Sequence, residues 1–388
     1  MTPARRLRIA YVSACDARSR RAWSGIHYFL ARALERHCGE VIHIGPVAPR
    51  IAGPLHRLAE RWNALMPRRY SPFHSILMSR GYARLIGRRL RQAECDVIFA
   101  PVASTEIACL RTVIPIVYMS DATFALLNGY YPWLDRLMAV SVREGHWVER
   151  SAIARAAALV YSSPWAAHSA VADYGAPAEK VHVVPFGANV EALPPVHAVV
   201  SRIPSSPLRL LFLGTDWDRK GGEIAVEALS ALRERNVKAE LIVCGCTPPP
   251  TVATEHVTVI PFLDKDDPGD RARFEQLLLT SDLMLVPTRA DCSPIAFAEA
   301  NAFGLPVVTT DTGGVAGVIQ DGRNGLLLPF AARGQEYAER IASLFLTEGR
   351  YERMAAASRR AFDERLNWDA WGREVGNIMA RVASVRVA

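Results

Sequence analysis

The chain lacks an apolar run long enough to cross a bilayer, a paired cysteine framework and a dinucleotide fingerprint. Each absence narrows what it can be. Its longest uncharged stretch, residues 156–172, is broken by Ser162, Ser163, Pro164 and His168, whereas a spanning helix needs about 20 apolar residues. The run IAYVSA near the basic N-terminus is too short for a secretory leader. Seven cysteines (Cys15, Cys38, Cys95, Cys109, Cys244, Cys246 and Cys292) form an odd set without framework spacing, which predicts a reduced, cytosolic setting. Cys244-Gly-Cys246 has no second pair and ends a strand-like run, so core cysteine is favoured over a metal site. GxGxxG follows neither the first strand nor Leu208–Leu213, and the GxxxxGK[ST] spacing is also missing. A nicotinamide or flavin dehydrogenase and a P-loop enzyme both lose their support.

Lysine is absent from residues 1–100, which hold 18 arginines against six acids, a local charge of +12. The net charge of +7 therefore leaves −5 on the other 288 residues. Such asymmetry asks for an anionic partner on the N-terminal side. Ten of these arginines lie in residues 50–94, interleaved with Trp62, Leu65, Met66, Ile76, Leu77 and Leu85. Arginine opposite Trp and Leu is the pattern of a helix lying in a membrane interface. A solvated face over core positions reads equally well. No RNA- or DNA-reading motif accompanies the charge, so nucleic acid is not expected.

At 388 residues, two domains are the default. LRIAYVS, EVIHIG, DVIFA, IPIVYM, ALVYSS and VHVVPF are β-rich runs separated by helical patterns, which implies βαβ units and parallel pairing. The Pro- and Ser-containing stretch after residue 190 reads as a linker. A second series then brings LRLLFL, AELIVC, VTVIPF, DLMLVP and LPVVTT, with helices expected from Gly222 to about Arg235 and from about Asp270 to Thr280. The boundaries are 1–190 for an N-terminal acceptor-side domain, 191–207 for the linker and 208–365 for a C-terminal ligand-binding domain. Residues 366–388 complete the chain as an amphipathic helix packing across the domain boundary. Two doubly wound Rossmann-like α/β domains of this kind should face one another across a cleft, where ligands settle at the strands' carboxyl ends.

Within LFLGTDWDRKGGEIAVEAL, Arg219 and Lys220 stand beside Gly221-Gly222 where a strand gives way to a helix. Glycines admit a ligand to the backbone, the helix N-terminus favours an anion and Lys220 adds a mobile cation, so a phosphate is expected there. Gly313-Gly314 is a second backbone turn able to present N–H groups to phosphate, with a plain tight turn the equal reading. In ADCSPIAFAEANAFGLPVV, Ser293 suits the helix cap, Pro294 the first helical position and Gly304 the helix end. Asp291 and Glu299 flank that helix start, a place for an anion and hydroxyl groups together. On the N-terminal side, Gly25 follows an arginine-bearing loop, and Ser120-Asp121 end a strand; Asp121 suits a helix cap as well as a substrate contact.

With these residues in place, the chain resembles the retaining nucleotide-sugar glycosyltransferases of family 4, which have the GT-B fold. Asp291 and Glu299 match that family's E-x7-E spacing, with Asp in the first position. Lys220-Gly221 match its x-K-G, Gly313-Gly314 its late Gly-Gly, and Gly25 its first N-terminal loop glycine. The resemblance implies that Asp291 accepts bonds from donor-sugar hydroxyls and that Glu299 holds the ribose. Ser293, Pro294, Ile295, Gly214, Gly25, Gly313 and Gly314 would line the donor site, and Lys220 with Arg219 would take the diphosphate charge. Ser120 and Asp121 stand on the acceptor side.

The chain departs from the pattern at three places. Thr215 replaces the usual arginine, Ser120-Asp121 replace a histidine, and Gly317 stands where a glutamate is common. The expectation is a metal-independent, cofactor-free hexosyltransferase acting on a glycan, lipid-linked or small-molecule acceptor. It would be cytosolic or peripheral on a membrane's cytoplasmic face. An epimerase of the same fold and a non-catalytic sugar-nucleotide-binding module are the alternatives.

Overall fold

The structure, a computed structural model, describes residues 6–200, 202–252 and 255–384. The chain divides into two compact units. One runs up to Pro185 and resumes at Trp368; the other is Phe186–Asn367.

The first unit is built on β1 (Leu7–Tyr11), β2 (Gly39–His43), β3 (Val97–Pro101), β4 (Ile116–Ser120), β5 (Ala158–Tyr161) and β6 (Val181–Val183). They form one sheet in the order β2-β1-β3-β4-β5-β6, each pair parallel. Every residue of β3, β4 and β5 is buried, which is why these segments read as continuous apolar runs.

The helix Trp368–Ser384 belongs to this unit and lies on the helix Ile26–His37. Trp371, Val375 and Ile378 are buried at helical spacing, and Asp369 accepts from His37 Nε2 (2.7 Å) and Arg36 Nη1 (2.6 Å). Truncating a fully buried aromatic such as Trp371 to alanine costs about 3–5 kcal/mol.

The second unit holds β7 (Leu208–Leu213), β8 (Ala239–Cys244), β9 (Val257–Ile260), β10 (Leu283–Val286), β11 (Val307–Thr310) and β12 (Gly325–Leu328). Their order is β12-β11-β10-β7-β8-β9, again parallel throughout. The last strand, GLLL, is additional to the expected series, which ended at LPVVTT. The two expected helices are present as Gly222–Glu234 and Pro268–Thr280.

The stretch read as a linker is fastened to this second unit. The buried Arg202 guanidinium donates to the carbonyls of Leu278 (2.7 Å), Ser281 (2.5 Å) and Phe303 (2.9 Å), and Ser205 bonds Asp282 through its N–H and hydroxyl. Three carbonyls satisfy an arginine that would otherwise be costly to bury. Composition marked the segment as irregular but did not show that it packs.

Candidate active site

The second unit gathers its chemistry at the carboxyl ends of the neighbouring strands β11, β10 and β7. After β7 the chain turns through Gly214 and Lys220 into the helix Gly222–Glu234. Gly221 has φ +74°, and a Cβ there would lie 2.0 Å from the Pro287 carbonyl oxygen, so only glycine fits. A Cβ on Gly214 would sit 2.7 Å from Lys220 Cγ. That missing carbon leaves the lane along which Lys220 extends. Its Nζ reaches 2.5 Å from Asp291 Oδ2, with both side chains nearly enclosed. A pair so shielded interacts more strongly than one in water, and removing either partner strands a charge.

Arg219 braces the same corner. Its Nη1 donates to the Ala290 carbonyl (2.9 Å), its Nε lies 3.4 Å from Asp216 Oδ2, and its carbonyl accepts from the Arg289 N–H (2.7 Å). Gly313, with φ +55°, turns the chain so that the Gly314 N–H donates to the Asp291 carbonyl at 3.0 Å. The paired glycines thus meet Asp291, but the Gly314 N–H already has a protein acceptor and is not presented to phosphate in this state.

The helix after β10 corrects one expectation. It spans Ile295–Ala302, with Pro294 in the cap position at ψ 93° and no side chain capping it. Proline's extended ψ delays the helix by one residue, so Ser293 falls outside the cap and Pro294 outside the first turn. Ile295 opens the helix. Gly304 follows its end with φ +61°, as a glycine there should.

Glu299 lies in this helix and is 1% exposed. Lys265, just past β9, places its Nζ 2.7 and 2.8 Å from the two Glu299 oxygens and 4.0 Å from the centre of the Phe274 ring. Burial pushes the Glu299 carboxyl above its ordinary range. The Lys265 ammonium and the Asn189 N–H pull it back only in part. Sequence reasoning missed Lys265; its one signal was a lysine set among three aspartates directly after a strand, in DKDD.

In the first unit, Gly25 has φ +85° and precedes the helix that follows β1. Ser120 ends β4, is buried, and donates its hydroxyl to the Ala122 carbonyl (2.7 Å), while Asp121 beside it is half-buried. Two acids went unread in the sequence. Burial raises Glu106 and Glu149 to about 7, and Glu149 accepts from the Tyr118 hydroxyl at 3.1 Å. Cys244 is buried at the end of β8, and among the described residues no group of three or more His, Cys, Asp or Glu side chains is placed to hold a metal. Among the same residues no helix is long and apolar enough to cross a membrane.

Two units built on parallel six-stranded sheets, one carrying a lysine–carboxylate corner at its strand ends, fit the GT-B class of α/β proteins. Comparison with known proteins agrees. Residues 28–192 match the family model Glycosyltransferase Family 4, and residues 207–346 match Glycosyl transferases group 1. The chain belongs to the glycosyltransferase family that these two domains describe.

It is 29% identical over 261 residues to D-inositol 3-phosphate glycosyltransferase of Xylanimonas cellulosilytica, covering 62% of this chain and 60% of that protein. The chain thus spans between half and two thirds of the length of the curated relatives it matches first. Among solved structures, it is similar to sucrose-phosphate synthase from Thermosynechococcus elongatus, with a TM-score of 0.70, 15% identity and coverage of 98% and 100% of the two chains. It is also similar to Anabaena HepE in complex with UDP, with a TM-score of 0.63, 16% identity and coverage of 97% and 100%.

Proposed function

We propose that this protein is a retaining hexosyltransferase that uses a nucleotide-diphosphate sugar and holds its acceptor on the first unit. The observation carrying this reading is the Lys220–Asp291 pair at the ends of β7 and β10, in the unit that also buries Glu299. In this reading Asp291 accepts from donor-sugar hydroxyls, Glu299 accepts from the ribose, and the leaving diphosphate lies against Lys220 and the start of the helix Gly222–Glu234. Cleaving the bond between the anomeric carbon and phosphate leaves charge on the departing diphosphate. Lys220 and the helix dipole stabilise that charge more in the transition state than before it. Arg219 holds the turn that carries Asp291 and adds positive charge behind it.

A phosphate oxygen of the leaving group accepts the acceptor's proton as the sugar–oxygen bond forms on the same face, which retains configuration. These cations carry the charge in the proposed step, which uses neither a metal nor a cofactor. The HepE complex with UDP and the D-inositol 3-phosphate glycosyltransferases favour a nucleotide donor and a polyol or glycan acceptor. The arginine-rich segment of the first unit favours an acceptor presented at a membrane surface.

Incubation with uridine and guanosine sugar donors, with and without lipid extract, followed by mass, tests this. Transfer to an acceptor supports the reading. A new sugar epimer formed without acceptor indicates an epimerase, and binding without turnover a non-catalytic module.

A further inference from the structure

The helix Ala52–Leu65 buries only Ala59 of its fourteen residues. Leu58, Trp62 and Leu65, at positions i, i+4 and i+7, share one face and are exposed, Leu65 to 82%. Arg57 and Arg61 flank that stripe, and Arg68 follows in the next turn. Among the described residues none of these three arginines pairs with a carboxylate. Residues 52–70 hold four arginines and one glutamate, a net of three positive charges.

A second segment, absent from the sequence reading, completes this face. Trp62 Nε1 donates to the Arg68 carbonyl (3.0 Å), and the Asn63 amide clamps Tyr70 through both of its ends (2.7 and 3.1 Å). The turn so fixed is joined to residues 132–138. Arg69 N–H donates to the Arg136 carbonyl (2.9 Å), Met138 N–H to the Arg69 carbonyl (2.8 Å), and Arg69 Nη1 to the Pro132 carbonyl (2.9 Å). That junction brings residues 132–138 against Arg69, and with them Trp133, 57% exposed and stacked on Tyr131 at 4.4 Å, and Arg136, which pairs with Asp135 at 3.8 Å. Two segments more than sixty residues apart therefore present Trp, Tyr, Leu and Met, with Arg57, Arg61 and Arg68 of the first pairing with no carboxylate among the described residues.

We propose that this composite face docks on an anionic lipid bilayer, with Leu58, Leu65 and Trp133 entering the interface and Arg57, Arg61 and Arg68 meeting phosphate headgroups. Charge selects that occupant. A protein partner would bury three unpaired guanidinium groups beside large apolar side chains, whereas a headgroup layer supplies anions at the depth where arginine snorkels and Trp and Tyr settle. Arg69 and Arg89 are positioning residues. Arg69 ties the two segments, and Arg89 Nη1 donates to the Ile44 and Pro46 carbonyls, so each guanidinium is held in part by the protein's own backbone. The proposal rests on the membrane-side acceptor reading, yet lipid binding needs no donor, so the two fail separately.

The test is sedimentation of the full chain with phosphatidylcholine vesicles, with and without phosphatidylglycerol. Binding should require the anionic lipid and weaken about tenfold or more between low and physiological salt. The triple variants Arg57→Glu/Arg61→Glu/Arg68→Glu and Leu58→Ser/Leu65→Ser/Trp133→Ser should each lose about tenfold or more. Nucleotide-diphosphate affinity, read by calorimetry, should not change in either variant, which controls for folding. In the unaltered protein, brominated anionic lipid should quench tryptophan fluorescence, and Trp133→Phe should remove part of the quenching. Equal binding to neutral vesicles, no quenching, or unaffected variants would overturn the proposal. So would self-association or soluble-glycan binding abolished by the same variants without lipid binding.

Discussion

Lys265 grips both carboxylate oxygens of Glu299, at 2.7 and 2.8 Å, from a loop 34 residues earlier in the chain. The acid is enclosed, and this ammonium is the cation facing it. If Glu299 must be ionised to accept ribose hydroxyls, donor binding weakens as pH falls through its raised pKa. Lys265→Met removes the attraction that lowers that pKa, so the pKa moves up. The acidic limb of 1/KM against pH should shift to higher pH, with kcat little changed, and Lys265→Arg should restore it. An unshifted limb would make Lys265 merely structural.

Gly214→Ala tests whether the Lys220 lane matters. The added carbon would lie 2.7 Å from Lys220 Cγ, part of a flexible side chain that can move aside. The fold should survive with a Tm within a few degrees, while turnover falls about tenfold as Lys220 is displaced. Gly221→Ala meets backbone at 2.0 Å and positive φ, and should lower stability as well as turnover. Circular dichroism melts beside steady-state rates distinguish the two.

Glu149 makes a prediction about stability alone. Its folded pKa, about 7, lies above its ordinary value of 4.5 because it is buried. For a raised acid the stabilisation is fully present below the unfolded pKa and is lost as pH rises through the folded one, here between about 4.5 and 7. Glu149→Gln removes that titration. Relative to the parent, its stability should improve by about 2–3 kcal/mol from pH 5 to pH 8, read by urea unfolding at both pH values. A pH-independent difference would contradict this.

The sheets were legible because parallel strands are buried on both faces, so runs such as DVIFA and DLMLVP needed no periodicity to stand out. The strand β12 was not read, because three leucines after a glycine make too short an apolar run to tell strand from helix. Lys220 and Asp291 were legible because each stands at a strand-to-helix junction, where backbone geometry restricts the residue types. The Ser293 cap failed on the ψ angle of a single proline. Asn189 and the Trp133 loop were not legible, since each acts through a partner that only the three-dimensional path brings near, and the DKDD setting of Lys265 did not point to Glu299. The same holds for Arg202, whose three carbonyl acceptors turn an apparent linker into part of the second unit.

The most direct measurement is transfer or hydrolysis of uridine and guanosine diphosphate hexoses by the parent protein and by Lys220→Ala, with donor affinity measured alongside. The account predicts saturable donor binding by the parent and a fall in kcat of about tenfold or more in the variant, exceeding any loss of affinity. Turnover by Lys220→Ala at the parent's rate, or a parent that binds no nucleotide-diphosphate sugar, would contradict it.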